Sequence, residues 1–207
     1  MAGKAQRKKS ETVEKKGNFF VLLITTVILI ALEIYSLKLD SHYKYDFIFL
    51  MVLLYGLYHY RSAVGLHPFH YGLFAAFLLL HNLGVFDLYT IYPLGIEYDY
   101  WVHGFFGLVS SLILFRFYNR LGFYRGAFKI IAIITVLLGF SALHELYEYA
   151  GALVLGEGEG VLFIGAGDLD EWDTQNDMLN NMIGGALGLV LYGLWNAAKG
   201  SLRQKGI

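Results

Sequence analysis

Three short stretches of this 207-residue sequence place acids and histidines at helical spacing. Asp99 and His103 lie four apart, on one helix face and about 6 Å apart along its axis. In His144-Glu145-Leu146-Tyr147-Glu148, His144 and Glu148 share a face, as do Glu145 and Glu148. Asp173-Thr174-Gln175-Asn176-Asp177 repeats the four-residue spacing with two carboxylates, and Asn180 and Asn181 follow one turn later. Asp173 also suits the N-cap of a helix. His81 and Glu33 add two ionisable groups, each inside a long apolar run. Carboxylate and imidazole donors suit divalent Zn, Mn or Fe better than soft copper(I). The chain has no cysteine, which excludes disulfides, thiolate metal sites and cysteine nucleophiles.

The elements that must position these residues are apolar helices of membrane-spanning character. Hydrophobic residues make up 57% of the chain and charged ones 16%, a composition that reads as membrane and not as a soluble domain. A span needs about 20 mainly apolar residues. The pattern predicts six: residues 19–37, 45–60, 69–83, 100–118, 127–155 and 173–198. The expected fold class is therefore all-α, a polytopic bundle of six transmembrane helices over residues 18–198. A basic, unstructured cytoplasmic tail is expected at 1–17 and a short basic tail at 199–207. The first span is read as retained, because its apolar run has full spanning length and no small-residue cleavage pattern follows it.

Charge fixes the expected direction. With the N-terminus inside, fourteen of the sixteen Lys and Arg residues fall on cytoplasmic segments, and only Lys38 and Lys44 fall outside. This asymmetry satisfies the positive-inside rule and places both termini in the cytoplasm. The opposite loops carry Asp40, Asp46, Asp87, Glu97, Glu157, Glu159, Asp168, Asp170 and Glu171. Trp101 and Trp172 then fall at the outer interface and Trp195 near the inner one.

This topology brings the candidate residues to one layer in the outer half of the bilayer. Glu33, Asp99, Glu145, Glu148, Asp173 and Asp177 meet no transmembrane Lys or Arg there, and buried carboxylates without cations must take up protons or bind a cation. A divalent-metal site follows as the leading expectation, with room for two ions. It would serve a hydrolase acting on a lipid-linked or extracytoplasmic substrate. A proton- or cation-coupled transporter uses the same acids in a different way, and a structural subunit with a polar core is the third reading. His59, His67 and His70 are expected as solvated residues near the cytoplasmic interface, and His42 lies in an outer loop. Gly156-Glu157-Gly158-Glu159-Gly160 lacks the Lys and Ser or Thr of a phosphate loop and reads as a flexible loop. Gly184 and Gly188 form a small-xxx-small pair, suited to close packing within the bundle or to a homodimer through the sixth helix. The lipid bilayer is the expected partner, and no nucleic-acid partner is expected.

Asp99 to His103, Ser141-Ala142-Leu143-His144-Glu145-Leu146-Tyr147-Glu148 and Trp172-Asp173-Thr174-Gln175-Asn176-Asp177-Met178 resemble the YjdF-like family of prokaryotic inner-membrane proteins. The resemblance covers about residues 20 to 195, and the WDTQ-x-D element is its most specific part. It implies a location in the inner membrane and brings no activity with it. It matches the positions of Asp99, His103, Glu145, Glu148, Asp173 and Asp177, and it pairs His81 with Gly84 as a histidine-glycine element. It does not carry over His144, Asn180 or Asn181. The expected metal ligands are thus Asp99, His103, Glu145, Glu148, Asp173, Asp177 and His81, with His144, Asn180, Asn181 and Glu33 in supporting positions.

Overall fold

The computed structural model describes residues 2–41, 43, 45–122, 126–156 and 172–204, with side chains between residues 12 and 198 of that set. Among the described residues there is no strand, and seven helices form in order: α1 (Ala2–Leu39), α2 (Asp46–His59), α3 (Arg61–Val64), α4 (Pro68–Asn82), α5 (Tyr98–Leu121), α6 (Ala127–Val154) and α7 (Asp173–Gln204). Three short 3-10 turns, Leu83–Phe86, Leu88–Thr90 and Pro93–Gly95, connect α4 to α5.

Among the described residues five helices are long and apolar enough to cross a membrane: Thr12–Leu39, Pro68–Phe86, Tyr98–Leu121, Ala127–Val154 and Asp173–Ala198. The expected span at 45–60 corresponds to α2, whose 14 residues rise only about 21 Å. Tyr60, at φ −84° and ψ 6° in the bridge region, interrupts the helix and leads into the single turn of α3, which ends at Gly65 in the left-handed region. α4 starts where its sequence dictates. Pro68 needs no amide partner at the first helical position, and His67 Nδ1 accepts a hydrogen bond from the Phe69 amide at 3.2 Å.

Two expectations at the helix ends change. The basic leader at 1–17, expected as an unstructured tail, is helical from Ala2 onward. Its Ala, Lys, Arg, Gln and Glu residues are good helix formers, and the apolar helix after them removes the nucleation penalty. Asp173 is the first residue of α7 rather than its cap, since Trp172 holds the non-helical φ of 72° and its carbonyl accepts from the Asn176 amide at 3.0 Å. A carboxylate in the first turn still favours the helix dipole. The glycine-rich loop at 157–160, the loop acids Glu157, Glu159, Asp168, Asp170 and Glu171, and His42, Lys44, Arg125 and Lys205 lie outside the described residues.

The bundle packs around two centres. Leu22, Leu29, Phe47, Leu50, Leu54, Tyr71 and Leu78 join α1, α2 and α4 in one apolar cluster. α5, α6 and α7 form the other, with Val109, Leu112, Ile133 and Leu137 buried among them. α5 packs most extensively on α7, and glycines make this possible. A Cβ on Gly107 would collide with the Asn181 carbonyl, one on Gly184 with the Gly104 carbonyl, and one on Gly188 with Ser111 and Leu108. The Gly184/Gly188 pair is therefore used inside the chain, against α5, and gives no separate support to a homodimer through that face.

Candidate metal centre

The glycine-mediated crossing of α5 and α7 brings Asp99 and His103 opposite Asp177. His103 Nε2 lies 3.4 Å from Asp99 Oδ1 and 3.5 Å from Asp177 Oδ2. One ligand atom from each of the three residues lies within 4.8 Å of the others. His103 and Asp177 are only 6% and 4% exposed. These separations exceed a good charge-assisted hydrogen bond, at about 2.7–2.9 Å. They match the edge of a tetrahedron whose metal–ligand bonds are about 2.0–2.2 Å, which is about 3.3–3.6 Å.

A second group stands beside the first. His144 Nε2 lies 3.3 Å from Glu148 Oε1 and 3.3 Å from His81 Nε2. The ligand atoms of His81, His144 and Glu148 again fall within 4.8 Å of one another. The two groups meet where the His103 and His144 rings approach to 6.4 Å between centroids. His81 comes from the last turn of α4, so the centre draws on four helices.

The surroundings orient the rings. His103 Nδ1 is 3.1 Å from the Asn181 side-chain amide, which also reaches Ser141 Oγ at 2.6 Å. His81 Nδ1 is 3.3 Å from the Tyr89 hydroxyl, and the Phe77 ring meets His81 edge-on at 5.7 Å. In both histidines Nδ1 is engaged while Nε2 faces the other ligand atoms, the arrangement by which outer partners fix the tautomer of a ligating imidazole. Asp177 Oδ1 is buried with no hydrogen-bond partner among the described residues, as is Asn181 Oδ1. Ligation of His103 through Nε2 leaves Nδ1–H as a donor. Turning the Asn181 amide over would then present its oxygen to that donor.

The sequence-based candidates separate into groups. Asp99, His103 and Asp177 meet in one group, and His81 and Glu148 meet in the other. His144, placed at the periphery from sequence, stands at the middle of the second group. Its ring projects from the same face of α6 as Glu148 and reaches His81 across the bundle. Asn181 contacts His103 and not the other acids. Glu145 is 1% exposed and, with Asp173, acts electrostatically on His103 and Asp177 without joining either ligand group. Asn180 faces away, into a cavity on the other side of the α5–α7 crossing. Glu33 is also apart, against the first turn of α2 beside the Ile48 amide. Ser141 and Tyr89 escaped the sequence reading. Ser141 was detectable, since it lies four residues before Glu145 on the same face of α6. Tyr89, in a loop with no periodicity, carried no signal.

These features define a polytopic helical membrane protein with a buried acid-and-histidine cluster. The chain belongs to the family described as predicted membrane protein (DUF2238), whose profile matches residues 18–198. It is 32% identical over 140 residues to the inner membrane protein YjdF of Escherichia coli (strain K12), a match covering 61% of this chain and 65% of that protein. The YjdF-like membership read from the motifs is thus shown. No solved structure matches the chain.

Proposed function

We propose that this protein binds divalent metal in the outward-facing half of the bilayer, with Asp99, His103 and Asp177 holding one ion and His81, His144 and Glu148 offering a second position. The observation that carries this reading is that each group brings three ligand atoms within 4.8 Å of one another, close enough to share one ion. The charge balance agrees, because among the described residues no Lys or Arg pairs with Asp99 or Asp177, whose ion-pair partner is His103. When bound, a divalent ion supplies Lewis-acid polarisation of a substrate oxygen and activates water as a nucleophile. The chain's own part is to hold the donors. α5 and α7 bring Asp99, His103 and Asp177 together, Asn181 and Tyr89 orient the two rings, and Glu145 adds negative charge behind His103.

The reaction class best matched to such a centre is hydrolysis of a lipid-linked or extracytoplasmic substrate. The orientation rests on the basic asymmetry of the sequence, and it makes α2 with α3 the sixth crossing. A transporter would need polar groups through the other half of α5, α6 and α7. Apart from glycines, the buried residues there among those described are Val109, Leu112, Ile133 and Leu137, with Ser111 the polar exception. This favours a site open to one side only. Metal analysis of detergent-purified, chelator-free protein tests the proposal. Stoichiometric Zn, Mn or Fe supports it, whereas metal that stays far below one equivalent after reconstitution with each ion overturns it.

A further inference from the structure

The opposite end of the bundle holds a different cavity, of about 390 Å³, at the level where the spans Thr12–Leu39 and Pro68–Phe86 begin and Tyr98–Leu121 ends. Its place at three span ends puts it at a membrane–water interface. Its walls carry three cations from three separate helices: Lys15 of α1, Arg61 of α3 and Arg120 of α5. Glu14 is the one carboxylate among the lining residues, and none of the three cations lies within ion-pair distance of a carboxylate among the described residues. The cavity therefore keeps a net positive charge.

The fold maintains this opening. Gly65, in the left-handed region at φ 70°, turns the chain between α3 and α4. Its carbonyl accepts from Arg116 Nε at 2.9 Å, and a Cβ on it would press against the Arg120 guanidinium. Arg61 is held in place, its guanidinium 4.3 Å from the centroid of the Tyr58 ring and its Nη1 donating to the Tyr58 carbonyl at 2.9 Å. Asn18, 2% exposed, lines the same cavity. It donates through Nδ2 to the Leu66 carbonyl at 2.9 Å, and its Oδ1 has no hydrogen-bond partner among the described residues. A buried acceptor without a donor beside three cations is the signature of a ligand carrying both negative charge and a hydroxyl or ammonium donor.

We infer that this cavity binds the headgroup of an anionic phospholipid: Lys15, Arg61 and Arg120 take the phosphate, and Asn18 accepts a hydrogen bond from a hydroxyl of the headgroup. The volume lies at the lower end of the range for small-ligand pockets, and basic pockets between spans at the cytoplasmic face suit anionic headgroups. The inference is independent of the metal centre at the other end of the bundle.

The test uses the full chain, purified and delipidated in neutral detergent, with thermal unfolding followed as lipid is titrated. Phosphatidylglycerol, which carries one phosphate charge and free glycerol hydroxyls, is expected to raise Tm saturably. Zwitterionic phosphatidylcholine is expected to have little effect. Lys15→Gln and Arg120→Gln, both exposed side chains, should each weaken the apparent affinity for phosphatidylglycerol about five-fold, and Glu14→Gln should strengthen it. Equal stabilisation by the two lipids, or unchanged affinity in the Lys15→Gln/Arg120→Gln double variant, overturns the inference. Stabilisation by inorganic phosphate matching that of phosphatidylglycerol also overturns it, by assigning the cavity to free phosphate.

Discussion

Asp177→Asn separates a metal centre from a structural polar network, because the two roles give the substitution opposite signs. The Asp99 and Asp177 ligand oxygens lie within 4.8 Å of each other. Taken at 4.8 Å and an effective dielectric constant of about 20, two ionised carboxylates repel by about 3.5 kcal/mol, and proton uptake relieves part of this. Replacing Asp177 by the isosteric amide removes the repulsion and leaves the packing against α5 unchanged. In chelator, the variant should therefore unfold at the same temperature as the wild type or above it. With metal, the order should reverse. At an ion concentration of about 100 Kd the wild type gains about 2.7 kcal/mol, and a variant lacking one anionic ligand gains little of it. The assay is thermal unfolding of the two proteins in detergent, in chelator and across a Zn or Mn titration, with bound metal measured in parallel. A variant that is less stable in chelator and whose metal-induced shift equals that of the wild type would rule out Asp177 as a metal ligand and favour a structural network.

Asn181→Leu should keep the fold and lower metal affinity about 10–100-fold, because His103 loses the partner that orients its Nδ1; isothermal titration with Zn measures it. His144→Phe should reduce bound metal by about one equivalent if the second group holds an ion, whereas an unchanged ratio would confine binding to Asp99, His103 and Asp177. Gly107→Val should destabilise by more than the usual overpacking loss of about 1–3 kcal/mol, since its Cβ meets backbone of α7 that cannot rotate away; denaturant unfolding reads this. The absence of native cysteine permits a topology test. In intact cells an impermeant maleimide should label Asp87→Cys and spare Ser62→Cys, and the reverse pattern would invert the proposed orientation.

The membrane class and most of the helices were legible in the sequence, because spanning is a local property: a run of apolar residues about 20 long satisfies its own backbone hydrogen bonds wherever its neighbours sit. The runs at 100–118, 127–155 and 173–198 all lie within α5, α6 and α7 apart from Leu155, which follows directly on α6. The run at 45–60 matches α2 to within one residue at each end, but its 14 helical residues fall short of the about 20 that a span needs. The same locality exposed the pairs Asp99/His103 and His144/Glu148, since residues four apart on a helix must share a face.

Which pairs meet was a matter for the tertiary structure. Asp177 reaches His103, 74 positions away in sequence, only because Gly107, Gly184 and Gly188 let two backbones touch, and spacing within one helix carries no information about such an approach. For the same reason His144 moved from the periphery to the middle of a group with His81 and Glu148, while Glu33 and Asn180 fell away from it. Sequence alone determined that this chain enters a membrane carrying acids and histidines paired at helical spacing. The packing of α4, α5, α6 and α7 decided which of them stand close enough to share an ion, because that depends on helix rotation and crossing, which the periodicity of single helices leaves open.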